Sequence, residues 1–419
     1  LRQDFLAHCI AAKKCSRNFD FRDIYGNHMS GPLNWIDDEL TSLERGGLVR
    51  RRRQVTTRPG ARCIVEGREL VNFASNDYLN LAHDPRVIAA AQRALAESGV
   101  GATASALISG RSGWHVALEE SLARFERQPS AVLFPTGFAA NVGTICALAE
   151  KDDVIFSDQL NHASLIDGCR LSRARVCIYR HDDLNALRSG LHNSPASGRR
   201  VIVTDSVFSM DGDLAPLPDL CELAEQFDAI LIVDEAHATG VLGANGRGVA
   251  ELQGVEDRVA IRVGTLSKGV GTLGGFVAGP QNLIDWLWNR ARTQIFSTAL
   301  PPSICAAAAE AIRLIETEPE RRQRLLQSAA YLRRKIVDSG IETVAHAVGP
   351  IVPVILHTPE RAVQAARQIE EQGFLVGAIR PPSVPQGTSR LRITLSSAHD
   401  AADIDRLIRA LLAARCGPI

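Results

Sequence analysis

The stretch RVIVTDSVFSMDGDLAPLPDLCELAEQFDAILIVDEAHATG (residues 200–240) decides the fold. It opens on RVIVTD (200–205) and closes on AILIVD (229–234), two short β-branched runs with almost no polar interruption. Strands covered on both faces read this way. Between them, Ala215 to Phe227 carries a helical pattern. A strand, a crossing helix and a second strand make a parallel unit. Outward from it, AVLF (131–134), DVIF (153–156), RVCIY (175–179), IRVGTL (261–266) and GFVAG (275–279) repeat the pattern with helices between. The expectation is an α/β domain on a largely parallel sheet.

Beyond Pro301-Pro302 come two helical patterns (303–316 and 320–339), then a strand IVPVIL (351–356) and a helix (359–372). Strands near FLVGAI (374–379) and RLRITLS (390–396) follow, with a last helix from Asp400, so the chain should end in a smaller α+β domain. Upstream, Asn34 is placed to cap a helix, and RCIVEGRELVNFASNDYL (62–79) reads as a hairpin. The expected division is an N-terminal extension (1–33), a helix-and-hairpin arm (34–75), a large domain (76–315) and the C-terminal domain (316–419). Residues 1–28 precede Met29 without clear periodicity and are expected to come from an over-extended gene start or a dispensable leader and to be loosely ordered, a docking arm for a partner being the alternative.

The formal net charge is zero, with 47 basic and 47 acidic residues, which gives no reason to expect nucleic acid or an anionic membrane surface as a partner. Within the longest uncharged stretch, Ala131 to Ala149 is interrupted by Pro135, Gly137, Asn141 and Gly143, so it reads as a buried strand–turn–helix. Nine cysteines lie scattered without CxxC or metal-ligand spacing, so reduced thiols, a cytoplasmic setting and no metal are expected.

In open α/β sheets ligands bind outside the carboxyl ends of the strands. Just past those ends stand Pro135 to Phe138, Ser157 to His162, Asp205 to Asp211, Asp234 to His237 and Thr265 to Lys268. The basic residues are almost all Arg; only five lysines occur. A lysine kept after an apolar strand, in TLSKGVG (265–271), therefore suggests a need for an amine that can lose its proton, which Arg cannot. Lys151 and Lys335 have the context of surface residues. Asp234 ends a strand, and a buried carboxylate there needs a cation such as a pyridinium nitrogen. A structural Asp capping the next helix is the alternative. The segment Asp234-Glu235-Ala236-His237 also spells a helicase-type motif, but the chain contains no GxxxxGK[ST] phosphate loop. Gly137 opens a helix after a strand, a place where backbone N–H groups can hold a phosphate.

FASNDYLNL (73–81), FPTGFAAN (134–141), NHASL (161–165), VFSMDGD (207–213), VDEAHATG (233–240), TLSKGVG (265–271) and FSTALPP (296–302) together resemble the α-oxoamine synthases, from about residue 33 to the C-terminus. The resemblance implies a fold-type-I transferase dependent on pyridoxal 5′-phosphate. It implies Lys268 as the Schiff-base lysine, Asp234 at the pyridine nitrogen, and His237 and Ser209 at the ring hydroxyl. His162 would lie on the ring face and take part in catalysis and substrate binding. Gly137, Phe138 and Thr265 would hold the phosphate with Thr298 of a neighbouring subunit, in a homodimer whose site lies at the interface. The run AIRPPSVPQGTSRLRITLSSAHDAADIDRLI (378–408) is most similar to the branch that joins L-alanine to a pimeloyl thioester, on coenzyme A or a carrier protein, in biotin biosynthesis. There Arg380 would hold the amino-acid carboxylate with Ser383 nearby, where Thr is usual; Asn76 would face the thioester and Arg50 is the expected N-terminal substrate arginine. Ala106 stands where several relatives carry Arg, and residues 1–28 match nothing. A sister synthase using glycine, an aminotransferase or decarboxylase on the same fold, and a noncatalytic binding protein are the alternatives.

Overall fold

The computed structural model describes residues 31–195, 197–414 and 416, so the expectation for residues 1–28 lies outside the described residues. The chain divides into two compact units, one ending at Arg51 and the other running from Arg52. In the first, helix Trp35–Arg45 starts after Asn34, whose side chain does not cap it as expected but accepts from the Gly31 N–H (3.3 Å), with Asp37 and Asp38 in its first turn and Arg45 in its last. These charges suit the helix dipole. None of its residues is buried within that unit.

The second unit is built on a seven-stranded sheet. Its strands are numbered with two smaller sheets along the chain: β1 Val55–Arg58, β2 Arg62–Val65, β3 Arg68–Asn72, β4 Ser130–Phe134, β5 Val154–Asp158, β6 Arg175–Tyr179, β7 Arg200–Asp205, β8 Ala229–Asp234, β9 Ile261–Thr265, β10 Gly275–Gly279, β11 Ile351–His357, β12 Phe374–Leu375, β13 Gly377–Ile379 and β14 Ser389–Thr394. The large sheet has the order β4-β10-β9-β8-β7-β5-β6. Pairs among β9, β8, β7, β5 and β6 are parallel, and β10 is antiparallel to both of its neighbours. Only β10 therefore runs against the rest, and the expected parallel sheet is present.

Both faces of this sheet are covered, which explains the unbroken apolar runs. On β7, Val201 and Val203 join one core with Ile145, Leu165 and Leu287, while Ile202 between them joins the other with Phe156 and Leu187. Successive side chains of a strand point to opposite faces, and each fully buried Val or Ile stabilises the fold by roughly 1.5–3 kcal/mol. Because the parallel strands are in register, Asp205 lies beside Asp234 on adjacent strands, and Asp158 and Thr265 end their neighbours. One rim collects these polar ends.

The N-terminal hairpin is present as β2 and β3, joined at Glu66 and Gly67, both with positive φ (50° and 85°). That backbone matches the twist of a tight hairpin. The single strand expected over 374–379 is split at Val376. Phe374–Leu375 adds in parallel to β3, and Gly377–Ile379 pairs antiparallel with β14 in the sheet β11-β14-β13. The C-terminal part of the chain thus completes a sheet begun by the N-terminal hairpin. Among the described residues the cysteines are free, and no helix is long and apolar enough to cross a membrane.

Gly264 on β9 lies opposite Phe276 on β10, and a methyl group there would run into the fully buried Phe276 ring. Gly264→Ala should lower the stability by about 1–3 kcal/mol through overpacking. Urea unfolding should show a lower midpoint with an unchanged slope; an unchanged midpoint would mean that the ring has room to move.

Candidate active site

The polar rim becomes a site because its buried groups partner one another. Asp234 is almost fully buried at the end of β8. Its Oδ1 accepts from the Ala236 N–H (2.7 Å) and its Oδ2 from Asn141 Nδ2 (2.6 Å). Asn141, on helix Gly137–Leu148, donates its second amide proton to Ser164 Oγ (2.9 Å). Ser164 in turn lies 2.7 Å from His162 Nδ1, which also accepts from the Ser164 N–H at 3.3 Å. With Nδ1 accepting, the proton of the neutral imidazole is on Nε2. Burial lowers the pKa of His162, against the pull of Asp234, so the neutral form is favoured. The His162 N–H donates to Asp205 Oδ2 (2.6 Å). Burial, and then the charge of Asp234, raise the Asp205 carboxyl well above the usual range.

Lys268 follows β9 in the same group. Burial lowers its ammonium to about 8, opposed by Asp234 and Asp205 and reinforced by Arg392. No hydrogen bond or close ion pair engages its Nζ among the described residues. A half-buried amine with a depressed pKa beside carboxylates is a nucleophile and a base in one side chain.

His237 is buried, with its Nδ1 2.7 Å from Tyr78 Oη. Burial, and then the charges of Lys268 and Arg392, hold its pKa well below the ordinary value, so the ring is neutral. Tyr78 Oη also lies 3.1 Å from Asn76 Oδ1 and 3.5 Å from Arg392 Nη2. Arg392, on β14, further donates to the Ser209 carbonyl (2.6 Å) and to Asn76 Oδ1 (3.2 Å). Every acceptor of this nearly buried guanidinium is neutral, so its charge is open to an anionic substrate group. Tyr78, Asn141, Ser164 and Arg392 were not singled out from the sequence. Asn141, Tyr78 and Arg392 sit inside family-like motifs, but only the folded contacts give them roles.

At the next strand end, Thr136 caps helix Gly137–Leu148 by accepting from the Ala139 N–H (3.0 Å), and the N–H groups of Gly137 and Phe138 have no partner among the described residues. A Cβ on Gly137 would come within 3.1 Å of Thr265 Cβ, so glycine is what lets this helix start reach the end of β9. The Thr265 hydroxyl donates inward to the Gly274 carbonyl (2.9 Å) and meets Ser267 Oγ at 2.8 Å. Ser267 is the more exposed of the pair. Free N–H groups at a helix start beside hydroxyls form an anion cradle.

This arrangement fits a phosphorylated pyridine aldehyde. It offers an anion cradle, an amine that loses its proton readily, and a buried carboxylate for a ring nitrogen, while Asn141 Oδ1 is a buried acceptor still unpartnered. Arg380 is half-buried just before the cis Pro381-Pro382 bond, and Ser383 is exposed beyond it. Thr298 is on an exposed segment bridged to Ser105. Arg50 belongs to the separate N-terminal unit.

Known proteins resemble this chain over most of its length. Residues 68–411 match the aminotransferase class I and II family. An 8-amino-7-oxononanoate synthase of Anaeromyxobacter dehalogenans is 49% identical over 383 residues, covering 91% of this chain and 96% of that protein. The 8-amino-7-oxononanoate synthase 2 of Bacillus subtilis is 45% identical over 376 residues, covering 90% and 96%. Among solved structures, serine palmitoyltransferase from S. paucimobilis with a bound PLP–myriocin aldimine superposes with a TM-score of 0.87 at 31% identity, over 93% of this chain and 98% of that one. The 8-amino-7-oxononanoate synthase of Francisella tularensis gives a TM-score of 0.71 at 30% identity, over 82% and 96%. The chain belongs to the aminotransferase class I and II family.

Proposed function

We infer that this chain is a pyridoxal-5′-phosphate-dependent acyltransferase that joins L-alanine to a pimeloyl thioester, releasing CO2 and the thiol and forming 8-amino-7-oxononanoate for biotin biosynthesis. The observation that carries the reading is the Lys268 amine, depressed to about 8 among buried strand-end carboxylates, in a chain whose relatives named for this activity match about nine-tenths of its length.

The site residues divide the work by their chemistry. Lys268 would hold the cofactor covalently through Nζ, and Asp234 would hold its ring nitrogen. His162 would lie against the ring face, with Ser209 and His237 at the ring hydroxyl. Gly137, Phe138, Thr265 and Ser267 would hold the phosphate, with Thr298 of a neighbouring protomer completing the cradle in a homodimer. When bound, the pyridoxal ring supplies an electron sink for the carbanion formed at the amino acid's Cα. Lys268 is close enough to neutrality to exist as the free amine, which takes the Cα proton and later returns it. Arg392, with Arg380 and Ser383, would bind the alanine carboxylate, while Asn76 and Arg50 would face the acyl thioester, whether on coenzyme A or on a carrier protein. In this reading residues 76–315 are the cofactor-binding domain, 34–75 the arm and 316–419 the smaller domain, and the enzyme works in the cytoplasm.

Product analysis tests the reading directly. Holoenzyme given L-alanine and pimeloyl-coenzyme A should yield 8-amino-7-oxononanoate by mass spectrometry, and Lys268→Ala should yield none beyond background. Glycine lacks only a methyl, worth roughly 1–3 kcal/mol of pocket contact, so it should be used about 10–200-fold less well. Preference for glycine would move the chain to a sister synthase, and a transaminated keto acid as the main product would exclude a synthase.

The lowered Lys268 pKa sets a pH dependence. The folded chain favours the neutral amine, so capture of added pyridoxal phosphate by the cofactor-free protein should speed up as pH rises. The rate should climb about tenfold per pH unit below the pKa and level off above about 8. Stopped-flow absorbance gives this profile. A plateau reached only near 10.5, the ordinary lysine value, would show that burial does not tune the amine.

A further inference from the structure

Outside the site's own contacts lies a second, partly buried polar cluster. His181 stands two residues beyond the end of β6, at the edge of the large sheet. Its Nδ1 lies 3.1 Å from Asp158 Oδ2, at the end of neighbouring β5, and its Nε2 lies 2.6 Å from Asp213 Oδ2, in the loop after β7. The Phe208 ring packs edge-on against the imidazole at 4.3 Å between centroids, and Asp182 lies farther out, 3.6 Å from Nε2 with its side chain mostly exposed.

Ionised carboxylates accept hydrogen bonds and do not donate them, so an imidazole between two of them carries a proton on each nitrogen. Burial works against that charge, but the bonds to Asp158 and Asp213 outweigh it and raise the His181 pKa to about 10. The ring therefore keeps no lone pair for a metal ion, although the His181, Asp182 and Asp213 ligand atoms lie close together.

The two carboxylates belong to the loops that carry proposed cofactor contacts. Asp158 Oδ1 accepts from the Leu160 N–H (2.8 Å), and the Asp158 carbonyl accepts from the Asn161 N–H, shaping the turn that delivers His162. The Asp213 carbonyl accepts from the Phe208 N–H (3.1 Å), closing the loop that contains Ser209. The far side of that loop is held by Arg390, through the Met210 carbonyl, and by Arg392, through the Ser209 carbonyl. On its near side, the His181 side chain links the loop to the His162 turn.

We propose that His181 is a positioning residue, a clamp between Asp158 and Asp213 that fixes the His162 turn and the Ser209 loop at the spacing the cofactor ring needs. The proposal rests on the functional reading above. It differs from a purely structural ion cluster in what its loss disturbs: the seating of the ring more than the folding of the chain.

The test compares wild type, His181→Gln and Asp213→Asn as purified holoenzymes. Each is equilibrated by dialysis against stepped concentrations of pyridoxal phosphate. Bound cofactor is read by visible absorbance, its seating by visible circular dichroism per bound chromophore, and folding by the thermal unfolding midpoint. Binding by wild type checks the functional reading; the variants, compared with it, check the clamp. His181→Gln should bind the cofactor about tenfold more weakly, as outer-shell partners of a bound group commonly do when lost, and with a diminished dichroism band. Should His181→Gln fail to fold, Asp213→Asn decides, because it keeps the loop's shape and offers His181 a carbonyl in place of one carboxylate; its affinity should fall severalfold. Affinity and dichroism equal to wild type in the folded variants would overturn the proposal, whatever their unfolding midpoints.

Discussion

Three adjacent strands of the large sheet, β8, β7 and β5, each end in a buried aspartate, and most of the site follows from satisfying those carboxylates. Burying a carboxylate without partners costs several kcal/mol, so each needs donors or a cation. Asp234 receives Asn141 and a backbone N–H, Asp205 receives the His162 N–H, and Asp158 receives His181 together with a turn N–H. The groups recruited for this purpose are the ones a cofactor site needs. The helix carrying Asn141 also presents the free N–H groups of Gly137 and Phe138. The residue bonded to Asp205 is the histidine that would cover the ring.

The same crowding tunes the lysine. Lys268 faces two opposing effects: desolvation, which favours the neutral amine, and nearby carboxylates, which favour the ammonium. Desolvation wins here, leaving the group near 8. Asp205 helps set this balance, since a carboxyl raised by burial and by Asp234 contributes less negative charge than an ordinary aspartate. Arg392 acts in the other direction, and it also depresses His237. A single cation therefore bears on the lysine, on His237 and, by its neutral ligands, on the substrate carboxylate it would receive.

Much of this was legible in the sequence, for a physical reason. A strand buried on both faces has to be apolar throughout, so the inner strands of the large sheet announced themselves, and the half-exposed edge strand β6 did so by its β-branched run, and with them the rim where polar residues collect. The scarcity of lysine made Lys268 conspicuous. Contacts that depend on distant chain segments left no such trace. Nothing local to Asn141 indicates that it bridges Asp234 and Ser164, and Arg392 looks like one of several arginines on a strand until β14 brings it to Asn76 and Ser209. His181 likewise reads as a turn residue, because its two partners come from different loops. The split of residues 374–379 between two sheets was hidden because a continuous apolar run looks the same whether it stays in one sheet or leaves it. Thr298 and Arg50 take their expected roles from the resemblance alone, Thr298 standing on an exposed segment bridged to Ser105 and Arg50 in the N-terminal unit.

The central claim is that Lys268 is the amine that holds the cofactor. Borohydride reduction of the holoenzyme, followed by proteolysis and peptide mass spectrometry, tests it most directly. The account predicts a phosphopyridoxyl group on Lys268 at near-stoichiometric yield. Modification at Lys151 or Lys335 instead, or none at all in protein that retains its cofactor absorbance, would contradict it.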